Sequence, residues 1–272
     1  MNTNTEISHE ERIGDLQHKD LMEGGWAVVE REKILEEMER IPWWKNFMQL
    51  FYSPIKMMKW NFTQDPPQGM SVAVVGLLLF GIIVMVLTYL NPLFKEQIYE
   101  IYRMYGIDES QLQEQYRLVQ ITSTITAVFG LFFKGLITAI VLSGIKLLFK
   151  LRGAFQPLCT CVLLAEVVQN AIYCLDLIIG NIIGVLGEVF SLKTLFVAGY
   201  LETHQIMGIL ASTISLNNIC FICLVIVGFK IITKASTGKS ILVVMIMEGM
   251  YFGYQVGINK IGEIVMMKLG ML

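Results

Sequence analysis

Charge is scarce in this chain, and the places where it is missing decide the solvent. Only 16% of the 272 residues are charged, against roughly 25% in soluble domains. Five stretches, 70–91, 121–149, 156–180, 206–232 and 240–257, are almost free of it. Crossing about 30 Å of hydrocarbon takes roughly 20 apolar residues, so each can span a bilayer. The charged first 25 residues contain no apolar h-region, so no cleaved signal peptide is expected and the first span serves as the insertion signal.

Acidic residues are absent from two of the connections. The one after the second stretch carries Lys146, Lys150 and Arg152, and the one after the fourth carries Lys230, Lys234 and Lys239. In the loop after the first stretch, Lys95, Arg103 and Arg117 are outnumbered by Glu96, Glu100, Asp108, Glu109 and Glu114. The positive-inside rule puts the two basic connections in the cytoplasm. Five spans then leave the N-terminus cytoplasmic and the C-terminus external in a multi-pass plasma-membrane protein. Residues 1–41 form a polar cytoplasmic segment, 42–69 an amphipathic one, 70–258 the membrane domain and 259–272 a short external tail. The fold class is an all-α five-helix transmembrane bundle with a helical outer loop.

Catalytic and metal signals are equally thin. The run TKASTGKS (233–240) falls one residue short of a phosphate-binding loop and lies between two spans, where the required strand and soluble helix are missing. Cys159, Cys161, Cys220 and Cys223 sit within spans and read as small hydrophobes, and His204 lies on the opposite side from them. No metal or cofactor is expected. The His/Ser and paired-Glu arrangements of intramembrane proteases are absent, and scattered basic residues give no nucleic-acid surface. Asn61-Phe62-Thr63 matches a glycosylation acceptor but falls on the cytoplasmic side.

Residues 27–41 read as a short charged helix. Residues 42–62 hold Trp43, Trp44, Lys45, Lys56, Lys59 and Trp60 with no acid. Such residues favour the headgroup zone of anionic lipid, so the segment is expected to lie on the cytoplasmic face. The alternative is that it caps the bundle and contacts protein. A break is expected at 65–69. The outer loop 92–120 shows two apolar stripes, Ile98, Ile101, Tyr102 and Tyr105, then Leu112, Tyr116 and Val119, and is expected to pack over the bundle. Residues 181–205 could extend the third span, re-enter the membrane or lie outside it.

Polar side chains inside the spans are few and therefore informative, because charge in lipid is costly. Counted along the helices from the cytoplasmic side, Lys134 lies about 16 Å in, Glu166 about 14 Å and Glu248 about 12 Å. Asn217 and Asn218 fall nearly level with them, and Asn170 shares a helix face with Glu166. Four helices thus offer polar groups to one layer in the inner half of the membrane. The layer could be structural, with Lys134 paired to a glutamate and the asparagines bonding between helices. It could also be an ion, proton or polar-solute site. Asp176, near the outer interface, is expected to be solvated. Gly180 and Gly184, and then Gly249, Gly253 and Gly257, recur at four-residue spacing and predict close helix packing.

FYSPIKMMKW (51–60), KLLFKLRGAFQPL (146–158) and SLNNICFICLVIVGFKIITKASTGKSILVV (215–244), set in this five-span pattern, resemble the Yip domain family over about residues 50–260. The likeness is to its prokaryotic members. It implies a non-enzymatic helical scaffold or accessory protein that binds other membrane proteins, an ABC-type exporter being one candidate partner, or that organises membrane. A homo-oligomer is a separate candidate, and the sequence leaves the oligomeric state open. The Asp-Leu-Tyr-Gly-Pro motif of eukaryotic members is absent, so GTPase recruitment is not carried over. The competing expectation is a small transporter or channel using Lys134, Glu166 and Glu248.

Overall fold

Apolar runs in lipid become helices because only a helix satisfies every backbone polar group within its own segment. The computed structural model describes residues 43–61, 69–185, 189–196 and 205–268. Its helices are α1 (Trp43–Tyr52), α2 (Pro54–Asn61), α3 (Gly69–Leu90), α4 (Pro92–Met104), α5 (Glu109–Leu148), α6 (Phe155–Ile183), α7 (Gln205–Thr213), α8 (Leu216–Thr233) and α9 (Thr237–Lys268), with a 3-10 turn at Leu192–Leu195. Five of them, α3, α5, α6, α8 and α9, are long and apolar enough to cross a membrane. The protein is a multi-pass, all-α membrane bundle. The helix expected over 27–41, the break over 65–68, His204 and the last four residues lie outside the described residues. So do the side chains of Trp43, Trp44, Lys45, Lys59 and Trp60.

α6 is the axis. It packs against α3, α8 and α5, while α9 closes the far side against α8 and α5. Leu158, Cys161, Val162, Leu163, Leu164 and Val167 of α6 are fully buried, together with Leu142 of α5, Val225 and Phe229 of α8, and Val243 and Val244 of α9. This apolar core fills the half of the bundle nearest the basic connections, here termed the basic end. Large hydrophobics on the outer faces, such as Leu79, Phe129, Ile137 and Met245, are exposed, as lipid contact requires.

Of the repeated glycines, Gly180 is buried within α6, while Gly184, Gly249, Gly253 and Gly257 make no close contact with another helix among the described residues. Gly249, Gly253 and Gly257 face open space. Gly184 has a left-handed backbone and caps α6, its N–H bonded to Gly180 O. Four-residue spacing fixes a shared face without fixing what that face meets. Close approach occurs instead at isolated glycines. A methyl group at Gly135 of α5 would lie 2.6 Å from Leu163 Cδ2, and one at Gly76 of α3 would lie 2.8 Å from Val167 Cγ1. One at Gly228 of α8 would collide with Cys161 Sγ.

α1 and α2 bury Leu50, Met57 and Met58 against the bundle and expose Met48, Phe51, Tyr52 and Ile55. Phe47 and Phe51 pack on Phe80 of α3 at centroid distances of 6.3 and 5.9 Å. One face therefore contacts protein, as the capping alternative expected, and an apolar face remains outward beside the exposed Lys56.

At the opposite end the connection 92–120 is a helical hairpin whose second arm runs straight into a span. α5 has 40 residues, about 60 Å at 1.5 Å per residue, so it projects well beyond the hydrocarbon. Asn91 caps α4 through Leu93 N at 3.0 Å, Gly106 makes the turn with φ +75, and Arg103 pairs with Glu109 across it at 3.0 Å. Leu112 and Tyr116 are buried as expected, whereas Ile101 and Tyr105 are exposed. α4 turns Tyr99 inward instead, onto Tyr116 at 5.6 Å. α9 continues helical through Lys268, past the external tail expected from residue 259.

Candidate functional site

Helical periodicity builds one polar face on each of four helices. On α6, Glu166, Gln169, Asn170 and Tyr173 follow at i, i+3, i+4 and i+7. On α9, Glu248, Tyr251 and Gln255 follow at i, i+3 and i+7, and Thr138 sits one turn from Lys134 on α5. α8 adds Asn217, Asn218 and Phe221. All of these except Glu166 line a cavity of about 290 Å³, and Glu166 lies directly against it through Lys134.

The Lys134 ammonium reaches both carboxylate oxygens of Glu166, at 2.9 and 3.1 Å, and Gln169 Oε1 at 3.0 Å. It also lies 5.5 Å from the centre of the Phe221 ring. The two partners differ in surroundings: the Glu166 side chain is 0% exposed and that of Lys134 34%. Gln169 passes the network on to Asn218 Oδ1 at 3.3 Å, and Asn218 Nδ2 donates to Thr213 O at 3.0 Å. Asn170 Nδ2 donates back to Glu166 O at 2.7 Å.

The fourth apolar stretch was expected as one helix over 206–232. It is broken. α7 ends at Thr213 and α8 starts at Leu216, with Ser215 extended at φ −123, ψ 156. The Ser215 hydroxyl bonds Asn217 Oδ1, which also accepts from Asn218 N at 2.7 Å. The backbone freed at the break pairs with the segment 189–196. Leu192 N donates to Ile214 O at 3.0 Å, and Leu216 N to Phe190 O at 2.9 Å, around a bridge between Ser191 and Ser215.

That segment is held by a buried charge. Asp176 is 2% exposed, and its Oδ1 accepts from Val189 N at 2.8 Å and Phe190 N at 3.0 Å. The expected solvation of Asp176 is thus replaced by two backbone donors, which meet a carboxylate's needs as water would. Asp176 fixes 189–196, which fixes the break, whose residues Ser212, Thr213 and Ser215 form the cavity rim.

Glu248 has a different situation from Glu166. It is half-buried, lines the cavity and faces Asn218, with Lys134 and Glu166 near enough to act on it electrostatically. Among the described residues it has no cation within ion-pairing distance. Lys134 is committed to Glu166 and Gln169.

All six residues expected to share a layer, Lys134, Glu166, Asn170, Asn217, Asn218 and Glu248, are therefore brought to one place. Along their helices Glu166 and Glu248 lie about 17 Å, and Asn217 about 24 Å, from the basic ends. Gln169, Tyr173, Thr138, Tyr251 and Gln255, each one or two turns from one of these six, join them around the cavity, and the sequence pattern does not single them out. The rim at 212–215 carries no comparable signal. A search of family models, curated proteins and solved structures found no match to this chain.

Proposed function

We propose that this protein binds a small polar solute in the intramembrane cavity and carries it across the bilayer. The observation behind this reading is the broken α7–α8 helix beside a carboxylate that has no cation of its own among the described residues. Irregular backbone in a membrane protein is tolerated where it is buried in protein or lines a water-filled cavity, and discontinuous helices form solute sites in many transporters. Interhelical glue needs neither an interrupted helix nor an open polar volume. The apolar core below the ion pair closes the cavity toward the basic end, so solute enters from the opposite side. We assign that side as external and the basic connections as cytoplasmic in a cell membrane, following the charge asymmetry.

Flux into proteoliposomes tests the reading. Solute-dependent current or swelling in the wild type should fall about tenfold or more in Glu248→Gln, on the scale of one lost charge-assisted contact. No flux from any small cation, neutral polyol or anion would sink the transport reading.

A second reading keeps the Yip-like accessory protein, without enzymatic activity and bound to an ABC-type exporter or to another copy of itself. What favours it is the open Gly249, Gly253 and Gly257 face of α9, since small residues at that spacing suit helix–helix contact in lipid. Under that reading, Gly253→Leu releases the partner and Glu248→Gln does not.

A further inference from the structure

We propose that the solute is a small organic monocation, an amine or quaternary ammonium, whose positive centre sits at Glu248. The assignment rests on the cavity being a solute site and adds the chemical class.

Charge comes first. The Lys134–Glu166 pair is internally balanced, so the cavity presents one further carboxylate, Glu248. A carboxylate facing a partly closed cavity attracts a cation more strongly than it would in bulk water, because its field is screened less there. An anionic solute would face both glutamates, and the one ammonium near them among the described residues is already held. A divalent ion would want several carboxylate or carbonyl oxygens in one shell, and a single uncommitted carboxylate suits a single positive charge.

Neutral groups around Glu248 agree. The hydroxyls of Ser212 and Thr213 donate to Ile209 O, both at 2.8 Å, which leaves their oxygen lone pairs as acceptors at the rim. Tyr173 and Tyr251 add aromatic rings to the wall, and cations are drawn to ring faces. Phe221 already has the Lys134 ammonium 5.5 Å from its centre. Size separates the remaining candidates. About 290 Å³ is far more than a bare alkali ion fills, and it lies at the lower edge of the roughly 300–1,000 Å³ of organic-ligand pockets.

Binding can be read separately from flux. Purified full-length protein in nanodiscs would be titrated with methylammonium, tetramethylammonium and choline chlorides, with potassium chloride and glycerol as controls at matched osmolarity and ionic strength. Thermal unfolding midpoint is the readout. At least one organic cation should raise the midpoint saturably where potassium and glycerol do not. Glu248→Gln should weaken its apparent affinity about tenfold or more, equivalent to roughly 1.4 kcal/mol. If that variant does not purify, Glu248→Asp keeps the charge but withdraws it, and a loss of several-fold is expected. Equal shifts with potassium, no shift with any of the three cations, or an unchanged affinity in the Glu248 variant would each overturn the assignment. Cavity-dependent flux of glycerol or of an anion would leave the transport reading standing and the monocation wrong. Amine binding without flux would do the reverse.

Discussion

Replacing Lys134 with methionine should destabilise the folded protein by about 3 kcal/mol, whereas Glu166→Gln should cost about 1 kcal/mol. Removing one partner of a buried ion pair leaves the other charge uncompensated, at about 3–5 kcal/mol. The two halves of this pair are unequal. Glu166 is fully enclosed, so without Lys134 its carboxylate has no water to turn to. Lys134 faces the cavity and keeps Gln169 Oε1 at 3.0 Å, so without the carboxylate it is still solvated. The double change Lys134→Met, Glu166→Leu should recover most of the loss, since apolar replacement of a whole buried pair is often neutral. Equilibrium unfolding in detergent measures all three. Equal losses from the two single changes would contradict the asymmetry.

Asp176→Ala should release the segment 189–196 with little effect on the rest of the bundle. It deletes the acceptor of two backbone donors at 2.8 and 3.0 Å, and bonds to a charged group contribute about 1.5–3 kcal/mol each. Amide exchange at Val189, Phe190, Leu192 and Leu216 should speed up by about a hundredfold, the equivalent of roughly 3 kcal/mol. Amides in the middle of α3 and α6 should not change. Asp176→Asn retains an acceptor oxygen and should fall between the two. Because the segment pairs with the break, solute affinity should fall in step with exchange at Leu216. Rapid exchange at Val189 with Leu216 still protected would show that the break holds itself without the segment.

Much of this architecture is legible in the sequence because lipid punishes charge. A lysine and two glutamates inside apolar runs have to meet protein or water, and counting 1.5 Å per residue from the basic connections puts Lys134, Glu166 and Glu248 within about one turn of one another, with Asn170, Asn217 and Asn218 about a turn farther along. The break in the fourth span is hidden for a physical reason. Residues 211–216, ASTISL, contain neither proline nor glycine, and their hydropathy continues the span. What stops the helix there is tertiary: backbone from 189–196 bonds Ile214 O and Leu216 N, and Asp176, 13 residues before Val189, aims that backbone. The one local trace is Ser215 ahead of Asn217 and Asn218, residue types that favour helix starts. The glycines show the opposite limit. A repeat within one helix is easy to see, yet Gly76, Gly135 and Gly228 matter through Val167, Leu163 and Cys161 on another helix, and no single-helix pattern shows that.

Water access along α9 tests the central claim most directly. In a chain whose five cysteines are replaced by alanine, single cysteines at Tyr251 and Gln255 lie on the cavity face, while those at Met250 and Tyr254 lie at the same depth on the exposed outer face. A charged, membrane-impermeant thiol reagent applied to sealed proteoliposomes should modify the first pair and spare the second. Equal labelling of adjacent positions, or labelling of Met250→Cys and Tyr254→Cys alone, would contradict a water-filled solute site and leave the polar layer as structural glue.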